Sequence, residues 1–139
     1  MTSLKSYSTF RIDVSTKELI IIQESKDIKN LITSKQYKNN EHRLIIWAGS
    51  NILFTQDFDG LIIINNLKGR TIVKELNNSI ILAIASGENR NETVMRSVEQ
   101  WYAGLENLVA VPGTVWAAPV QNIGAYGTEA RDIILEVRG

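Results

Sequence analysis

The chain has 139 residues, of which 44% are hydrophobic and 22% are charged. These values are typical of one compact α/β domain or of two small lobes, and they exclude a disordered tail, a fibre or a coiled coil. Fifteen basic residues balance fifteen acidic ones, and the sequence contains no cysteine. We therefore expect no general attraction to nucleic acid or to an anionic membrane, and disulfides and cysteine-ligated metals are excluded.

The N-terminal segment MTSLKSYSTFRID lacks the apolar core of a signal peptide. The longest apolar runs, such as Leu61–Ile64, are far shorter than the roughly 20 residues that cross a bilayer. We therefore expect a soluble cytoplasmic protein, and we expect it to be a monomer.

The first predicted strand is the β-branched run Glu18–Gln23, which is short and apolar enough to be buried on both faces of a sheet. Ser25 is predicted to cap a helix that extends to about Tyr37. The spacing of apolar residues gives this helix one apolar side, formed by Ile28, Leu31 and Ile32.

Two further strands are predicted at Arg43–Trp47 and Gly60–Asn65, which completes a β-α-β-β lobe. The loop Gly49-Ser50-Asn51 follows the first of these two strands. A turn in that position can offer backbone N–H groups and a small hydroxyl to phosphate oxygens. The same composition is also common in ordinary turns, so this signal alone does not decide between the two interpretations.

The pattern changes at Gly69. The runs Arg70–Leu76 and Ser79–Ala85 predict a hairpin, in which Asn77-Asn78 would tolerate the positive φ of a tight turn. We place a boundary between two lobes here, with lobe 1 at residues 1–67 and lobe 2 at residues 68–139.

A helix is predicted to begin after Asn89, because Glu92 lies three residues later and completes a capping pattern. Its apolar face is predicted to continue to a stop at Gly104, and that face consists of Val94, Val98 and Tyr102. Glu88 precedes this helix, where helix capping or stabilisation of the helix dipole is expected of it.

The segment Leu108–Gly127 (LVAVPGTVWAAPVQNIGAYG) is rich in glycine and alanine, which let a backbone approach a flat ligand closely. Gln121 and Asn122 could then contact the edges of a ring or of a phosphate. A tightly wound structural loop is the competing interpretation. A further strand is predicted at Ile133–Val137.

These motifs together resemble the UDP-N-acetylenolpyruvoylglucosamine reductases, which make UDP-N-acetylmuramate for peptidoglycan. The long run Gln-Asn-Ile-Gly-Ala-Tyr-Gly after Pro-Gly is the most specific part of the resemblance. Glu106 and Asn107 are expected to fix their loop. The matching motifs are Ser8-Thr9-Phe10, Gly49-Ser50-Asn51, Gly87-Glu88-Asn89, Gly104 to Leu108, Pro112-Gly113 and Gln121 to Gly127.

The resemblance implies an α+β, bilobed FAD-binding fold of the vanillyl-alcohol-oxidase (PCMH) type, with the flavin between the lobes. In that family NADPH reduces the flavin, which passes hydride to the enolpyruvyl group of a UDP-sugar. The family's substrate-polarising arginine, proton-donating serine and late glutamate would fall after Gly139. The resemblance therefore implies that the second lobe is incomplete, that the substrate domain is absent, that this chain holds no catalytic residue, and that it does not turn over alone.

By position in the resemblance, Gly49, Ser50 and Asn51 should bind the pyrophosphate of FAD. A second set should contact the flavin, and no metal ligand is expected. This second set consists of Pro112, Gly113, Thr114, Ala118, Gln121, Asn122, Ile123, Gly124, Ala125, Tyr126 and Gly127.

The three tryptophans, Trp47, Trp101 and Trp116, stand where the resemblance leads us to expect glycine. One hypothesis is a gene in which UGA encodes glycine and was translated as tryptophan. If the indoles are genuine, those at positions 47 and 116 could obstruct the cofactor or distort the turn, or these two could pack outward with little effect. The alternatives to a reductase fragment are therefore another flavin-binding domain of this fold and a non-catalytic domain without FAD.

Overall fold

The computed structural model describes residues 1–138, and the chain folds into two compact units. Unit 1 is Met1–Leu67, and unit 2 begins at Lys68. Each unit combines strands with helices, which confirms the mixed α and β class that the sequence predicts. Among the described residues, no helix is long and apolar enough to cross a membrane.

Unit 1 contains a four-stranded sheet and two consecutive helices. The sheet order is β1-β2-β4-β3; β1 is antiparallel to β2, while β2 and β3 are both parallel to β4. The elements are β1 (Thr2–Ser3), a 3-10 helix (Lys5–Tyr7), β2 (Ser15–Ile22), α1 (Ser25–Thr33), α2 (Lys35–Asn39), β3 (Arg43–Ile46) and β4 (Phe58–Asn65).

The strand that is buried on both faces is β4, because it lies in the middle of the parallel part of the sheet. Ile62 and Ile64 pack into a cluster with Leu4, Val14, Ile46 and Phe54. The alternate residues Leu61 and Ile63 pack on the opposite face with Ile22 and Leu31. The sequence assigned full burial to β2, which is wrong: Ile21 is 38% exposed, because β1 pairs only with Ser15 and Thr16 and leaves the rest of β2 at a sheet edge.

The predicted single helix from Ser25 to Tyr37 is two helices. Ser34 has an extended backbone and ends α1, and its hydroxyl then accepts a hydrogen bond from Tyr37 N at 3.1 Å to cap α2. The N-cap of α1 is Glu24 rather than Ser25. The Ser34 side chain ends α1 because it caps the next helix instead of allowing the first one to continue.

The apolar side of α1 is mostly solvent-exposed. Leu31 is buried, but Ile28 and Ile32 are 43% and 51% exposed. The spacing of these residues predicted a shared side correctly, but it could not predict how much of that side the sheet covers.

Unit 2 is built from two hairpins and three helices. Its core is a cluster of Val94, Leu108, Ala118, Ile123 and Ala130. The elements are β5 (Arg70–Leu76), β6 (Ser79–Ile84), α3 (Arg90–Glu99), a 3-10 helix (Glu106–Leu108), α4 (Ala117–Gln121), β7 (Gly124–Ala125), β8 (Thr128–Glu129) and α5 (Ala130–Ile133).

The β5-β6 hairpin closes with the two-residue turn that the sequence predicts, since Leu76 pairs with Ser79. The expected positive φ is wrong, because neither Asn77 nor Asn78 has one. The ladder instead contains an irregularity between Ile72 and Lys74. A bulge of this kind increases local twist, which a turn without positive φ does not supply by itself.

The start of α3 agrees with the prediction, and its end does not. Asn89 caps the helix by accepting a hydrogen bond from Glu92 N at 3.0 Å. The helix ends at Glu99 instead of continuing toward Gly104, because Trp101 takes φ of 61° and Tyr102 N bonds back to Ser97 O at 2.8 Å. This is a Schellman-type ending, in which the left-handed position usually holds glycine.

We expect Trp101→Gly to stabilise unit 2 by about 1 kcal/mol, because glycine adopts left-handed φ without the Cβ penalty. The indole is 93% exposed, so its removal forfeits little packing. Urea unfolding would measure the change. Trp47→Gly and Trp116→Gly are matched controls: both side chains are partly buried and neither has positive φ, so we expect no gain. Equal stabilisation by all three changes would contradict the explanation.

The strand predicted at Ile133–Val137 is also wrong. Glu129 and Asp132 form a capping box that starts the short helix α5, and residues 134–138 belong to no strand. Leu135 is 78% exposed. An apolar alternation without a neighbouring strand gives no ladder hydrogen bonds, so this pattern alone does not make a strand.

Candidate functional site

The predicted phosphate loop follows β3 in unit 1, and its glycine is required by backbone packing. Gly49 is buried with φ of 58°, and a Cβ there would lie 2.0 Å from the carbonyl oxygen of Tyr7. Thr9 N donates to Gly49 O at 3.2 Å. The glycine therefore fits this loop against the segment around Tyr7, which the sequence alone did not reveal.

The two polar side chains of this loop are available to a ligand. Ser50 is partly buried and Asn51 is exposed. Neither side chain hydrogen-bonds to another residue within the described part of the chain. The loop can therefore offer a hydroxyl and an amide without breaking internal bonds.

In unit 2, the segment after Pro112 pairs with the segment that leads into α3. Arg90 N donates to Gly113 O at 3.1 Å, and Val115 N donates to Glu88 O at 2.9 Å. Asn89 and Thr114 form an isolated antiparallel bridge between these bonds. Thr114 is buried, and its hydroxyl has no hydrogen-bond partner among residues 1–138.

Arg90 holds the same segment with its side chain, and sequence reasoning missed it. Its Nε donates to Val111 O at 3.2 Å, and its Nη2 donates to Val111 O at 3.0 Å and to Pro112 O. A basic residue in the first turn of a helix opposes the helix dipole, so no sequence rule marks it as a site residue.

The glycine-alanine segment contains the short helix α4 and the β7-β8 hairpin. Ala118 and Ile123 lie in the core of unit 2, where they are 7% and 8% exposed. Asn122 ends α4 with φ of 42° and donates from Nδ2 to Glu129 Oε2 at 3.1 Å. The buried side of the glycine-alanine segment, formed by Ala118 and Ile123, therefore packs as a structural loop.

The tip of the β7-β8 hairpin is strained and exposed. Tyr126 and Gly127 have φ of 51° and 82°, as the two central residues of a type I′ turn do. Tyr126 is nevertheless a tyrosine in the left-handed region, and its side chain is 87% exposed. Backbone strain of this kind clusters at ligand-binding and active sites, and the exposed ring of Tyr126 is open to a ligand.

The structure therefore places the predicted residues of unit 2 in two groups. Pro112, Gly113 and Thr114 lie at the start of α3, whereas residues 122 and 124–129 line a shallow cavity of about 370 Å³. Gln121 is exposed beside this cavity in the chain. Asn107 ties its loop to the hairpin by donating to Thr128 Oγ1 at 2.9 Å, as expected of a loop-fixing residue.

A larger cavity of about 610 Å³ lies between the β5-β6 hairpin and α3, and it contains none of the predicted site residues. The candidate site is the 112–127 segment, because the predicted cofactor residues of unit 2 lie there. Within residues 1–138, no cluster of three His, Cys, Asp or Glu residues could hold a metal ion.

The residues of unit 2 fit a flat anionic cofactor. Thr114 Oγ1 and Arg90 Nη1 are buried donors without hydrogen-bond partners among residues 1–138, and Tyr126 on the β7-β8 hairpin presents an exposed ring. A nucleotide with an aromatic ring system has an acceptor for the donors and a face for the ring.

Comparison with known proteins agrees with this chemistry. The family described as FAD binding domain matches residues 19–138. The UDP-N-acetylenolpyruvoylglucosamine reductase of Buchnera aphidicola subsp. Baizongia pistaciae is 42% identical over 134 residues, which are 95% of this chain and 39% of that protein. The reductases of Flavobacterium johnsoniae and Pseudomonas aeruginosa are 38% and 40% identical, and each is covered over 38% of its length.

The chain therefore spans about two fifths of the length of these curated relatives, and the matched part covers nearly all of the chain. The resemblance inferred from the motifs is confirmed: the sequence is that of a reductase-like FAD-binding region.

Proposed function

The chain belongs to the FAD binding domain family, and on that premise we propose that it holds the flavin of a UDP-N-acetylenolpyruvoylglucosamine reductase. The proposed reaction is the reduction of UDP-N-acetylglucosamine enolpyruvate to UDP-N-acetylmuramate with NADPH, a step of peptidoglycan synthesis. The observation that carries the proposal is the strained, exposed hairpin tip at Tyr126 within a family match that extends over residues 19–138.

Bound FAD would supply the hydride chemistry, and the protein residues bind and orient it. We propose that Tyr126 and the amide of Gln121 contact the ring system, with Asn122 held in place by Glu129. We propose that Gly49, Ser50 and Asn51 contact phosphate oxygens in unit 1. The UDP-sugar and NADPH are proposed as substrates of the whole enzyme, of which this chain is the flavin-binding part.

FAD binding by the purified chain tests the proposal, followed as quenching of flavin fluorescence. We expect Tyr126→Gly to weaken FAD binding about tenfold, since it removes an aromatic stacking surface. The same change relieves a left-handed tyrosine, so the fold is not expected to suffer.

Trp101→Gly is the matched control, because it also removes an exposed aromatic residue at positive φ from unit 2. We expect it to leave FAD affinity unchanged. The proposal fails if the unmodified chain does not bind FAD. An equal loss in both variants would show that general surface stickiness, rather than the hairpin tip, holds the flavin.

A further inference from the structure

The guanidinium of Arg90 is buried, and its hydrogen bonds are incomplete. The residue is 4% exposed and is the first residue of α3. Nε and Nη2 donate to the carbonyls of Val111 and Pro112, but Nη1 has no hydrogen-bond partner among residues 1–138. A buried hydrogen-bond donor without an acceptor costs more free energy when its group is charged than when it is neutral. Native proteins therefore rarely leave such a donor without an acceptor.

The charge of Arg90 is also uncompensated within the described residues. No carboxylate of residues 1–138 lies within 4.0 Å of it; Glu88 and Glu92 both pair with Arg70 instead. Burial lowers the pKa of the Arg90 guanidinium, although a guanidinium stays protonated at neutral pH. A buried cation surrounded by neutral carbonyls is stabilised by an anion that enters beside it.

Thr114 supplies a second unsatisfied donor on the adjoining segment. It is 7% exposed, and its Oγ1 is buried without a partner among residues 1–138. The Asn89–Thr114 bridge and the Arg90 N bond to Gly113 O hold this segment beside the first turn of α3. Two unsatisfied side-chain donors, one of them cationic, therefore belong to directly paired backbone segments.

We propose that Arg90 Nη1 and Thr114 Oγ1 bind a phosphate oxygen of the cofactor. The inference rests on the proposed function in taking that phosphate to be part of FAD. A phosphate is the appropriate group because the oxidised flavin ring carries no net charge, whereas the pyrophosphate is anionic and suits a guanidinium. Arg90 thereby becomes a cofactor-binding residue that the motifs do not mark.

The test compares FAD, ADP and riboflavin by isothermal titration calorimetry, because only the first two carry phosphate. We expect Arg90→Lys and Thr114→Val each to weaken FAD and ADP binding about tenfold and to change riboflavin binding less than twofold. The variant with both changes should bind FAD and ADP about as weakly as the weaker-binding single variant, because both donors bind the same phosphate.

Two controls separate binding from folding. Arg96→Lys changes an exposed arginine of the same helix and should leave all three affinities unchanged. Thr114→Ser retains the hydroxyl and should restore most of the affinity lost in Thr114→Val. As a direct readout, the ¹⁵N side-chain resonances of Arg90 should shift when inorganic pyrophosphate is added to the unmodified chain.

The outcomes distinguish this inference from the proposed function. If the chain binds FAD and the variants bind it equally well, the phosphate subsite is wrong and the FAD assignment stands. If pyrophosphate shifts the Arg90 resonances but FAD does not bind, the subsite stands and the FAD assignment fails. If neither ligand acts, or if riboflavin binding falls as much as ADP binding, the subsite is overturned.

Discussion

Gly49→Ala is expected to destabilise unit 1 by about 3 kcal/mol or more, because two penalties act at the same position. The residue has φ of 58°, where an L side chain costs about 1–2 kcal/mol. A Cβ would also lie 2.0 Å from Tyr7 O and 2.9 Å from Ser8 Cα, and both of these atoms are backbone atoms that cannot rotate away. Overpacking of this kind adds about 1–3 kcal/mol.

Two other glycines separate these penalties. Gly60 has no positive φ, but a Cβ there would lie 2.3 Å from His42 O, so Gly60→Ala tests the clash alone. Gly104 has φ of 115° with nothing among the described residues within 4 Å of a Cβ, so Gly104→Ala tests the backbone strain alone and should cost about 1–3 kcal/mol. Gly49→Ala should destabilise the protein more than either Gly60→Ala or Gly104→Ala, because it combines both penalties.

Hydrogen exchange measured separately on β4 and α3 would assign each loss to its unit. Gly49→Ala should raise exchange in β4 and leave α3 protected. If Gly49→Ala were no more harmful than Gly104→Ala, the close approach between the loop and Tyr7 would be refuted. If a folded Gly49→Ala variant bound FAD with unchanged affinity, the proposed contact between Gly49 and the phosphate would be wrong.

The sequence predicts those elements whose signal is local. Five of the strands, β2 to β6, and the start of α3 were predicted from β-branched runs and from the pairing of Asn89 with Glu92 in a cap. Elements that depend on distant neighbours were not predicted. Whether β2 or β4 is buried on both faces depends on strand order, which no local pattern contains.

Interruptions by single residues explain most of the remaining errors. A serine at position 34 is compatible both with a continuing helix and with an N-cap. In the structure it is an N-cap, because its hydroxyl accepts a hydrogen bond from Tyr37 N. Likewise, the left-handed backbone of Trp101 ends α3 where the propensity of its neighbours would continue it. Hydrophobic spacing records which residues share a face, but not where a backbone turns.

The candidate site likewise contains residues that the sequence can predict and residues that it cannot. Gly127 could be predicted from composition, since a tight turn with positive φ favours glycine. Arg90 could not, because its significance is that burial leaves Nη1 without a partner, and burial follows from the packing of α3 against the segment around Pro112. The motif resemblance identified the segment, and the structure was needed to find the charge beside it.

Glu88 makes contacts that the sequence did not predict. We expected it to cap α3 or to stabilise the helix dipole, and the capping alternative is wrong because Asn89 is the cap. The carboxylate of Glu88 instead accepts hydrogen bonds from Gly69 N at 2.8 Å and from Arg70 Nη2 at 2.6 Å. It thereby connects the beginning of β5 to the segment that leads into α3.

Glu88→Ala is therefore expected to lower the unfolding free energy of unit 2 by about 3 kcal/mol, because it leaves the Arg70 guanidinium without its close acceptor. The side chains of Glu88 and Arg70 are only 10% and 21% exposed, so water replaces the lost bonds poorly. Glu88→Gln retains an acceptor for Gly69 N and should cost about half as much. Urea unfolding followed by circular dichroism would measure these changes.

Glu92→Gln is the matched control, since Glu92 lies 3.8 Å from the same Arg70 nitrogen but its side chain is 65% exposed. A pair this exposed contributes less than about 1 kcal/mol, so this variant should be nearly as stable as the unmodified chain. Replacing both partners, as Arg70→Met with Glu88→Leu, should cost less than the sum of the two single changes, because no buried charge is left alone. If the single and double changes were additive, the two residues would contribute independently, and the ion pair would not be what connects β5 to the start of α3.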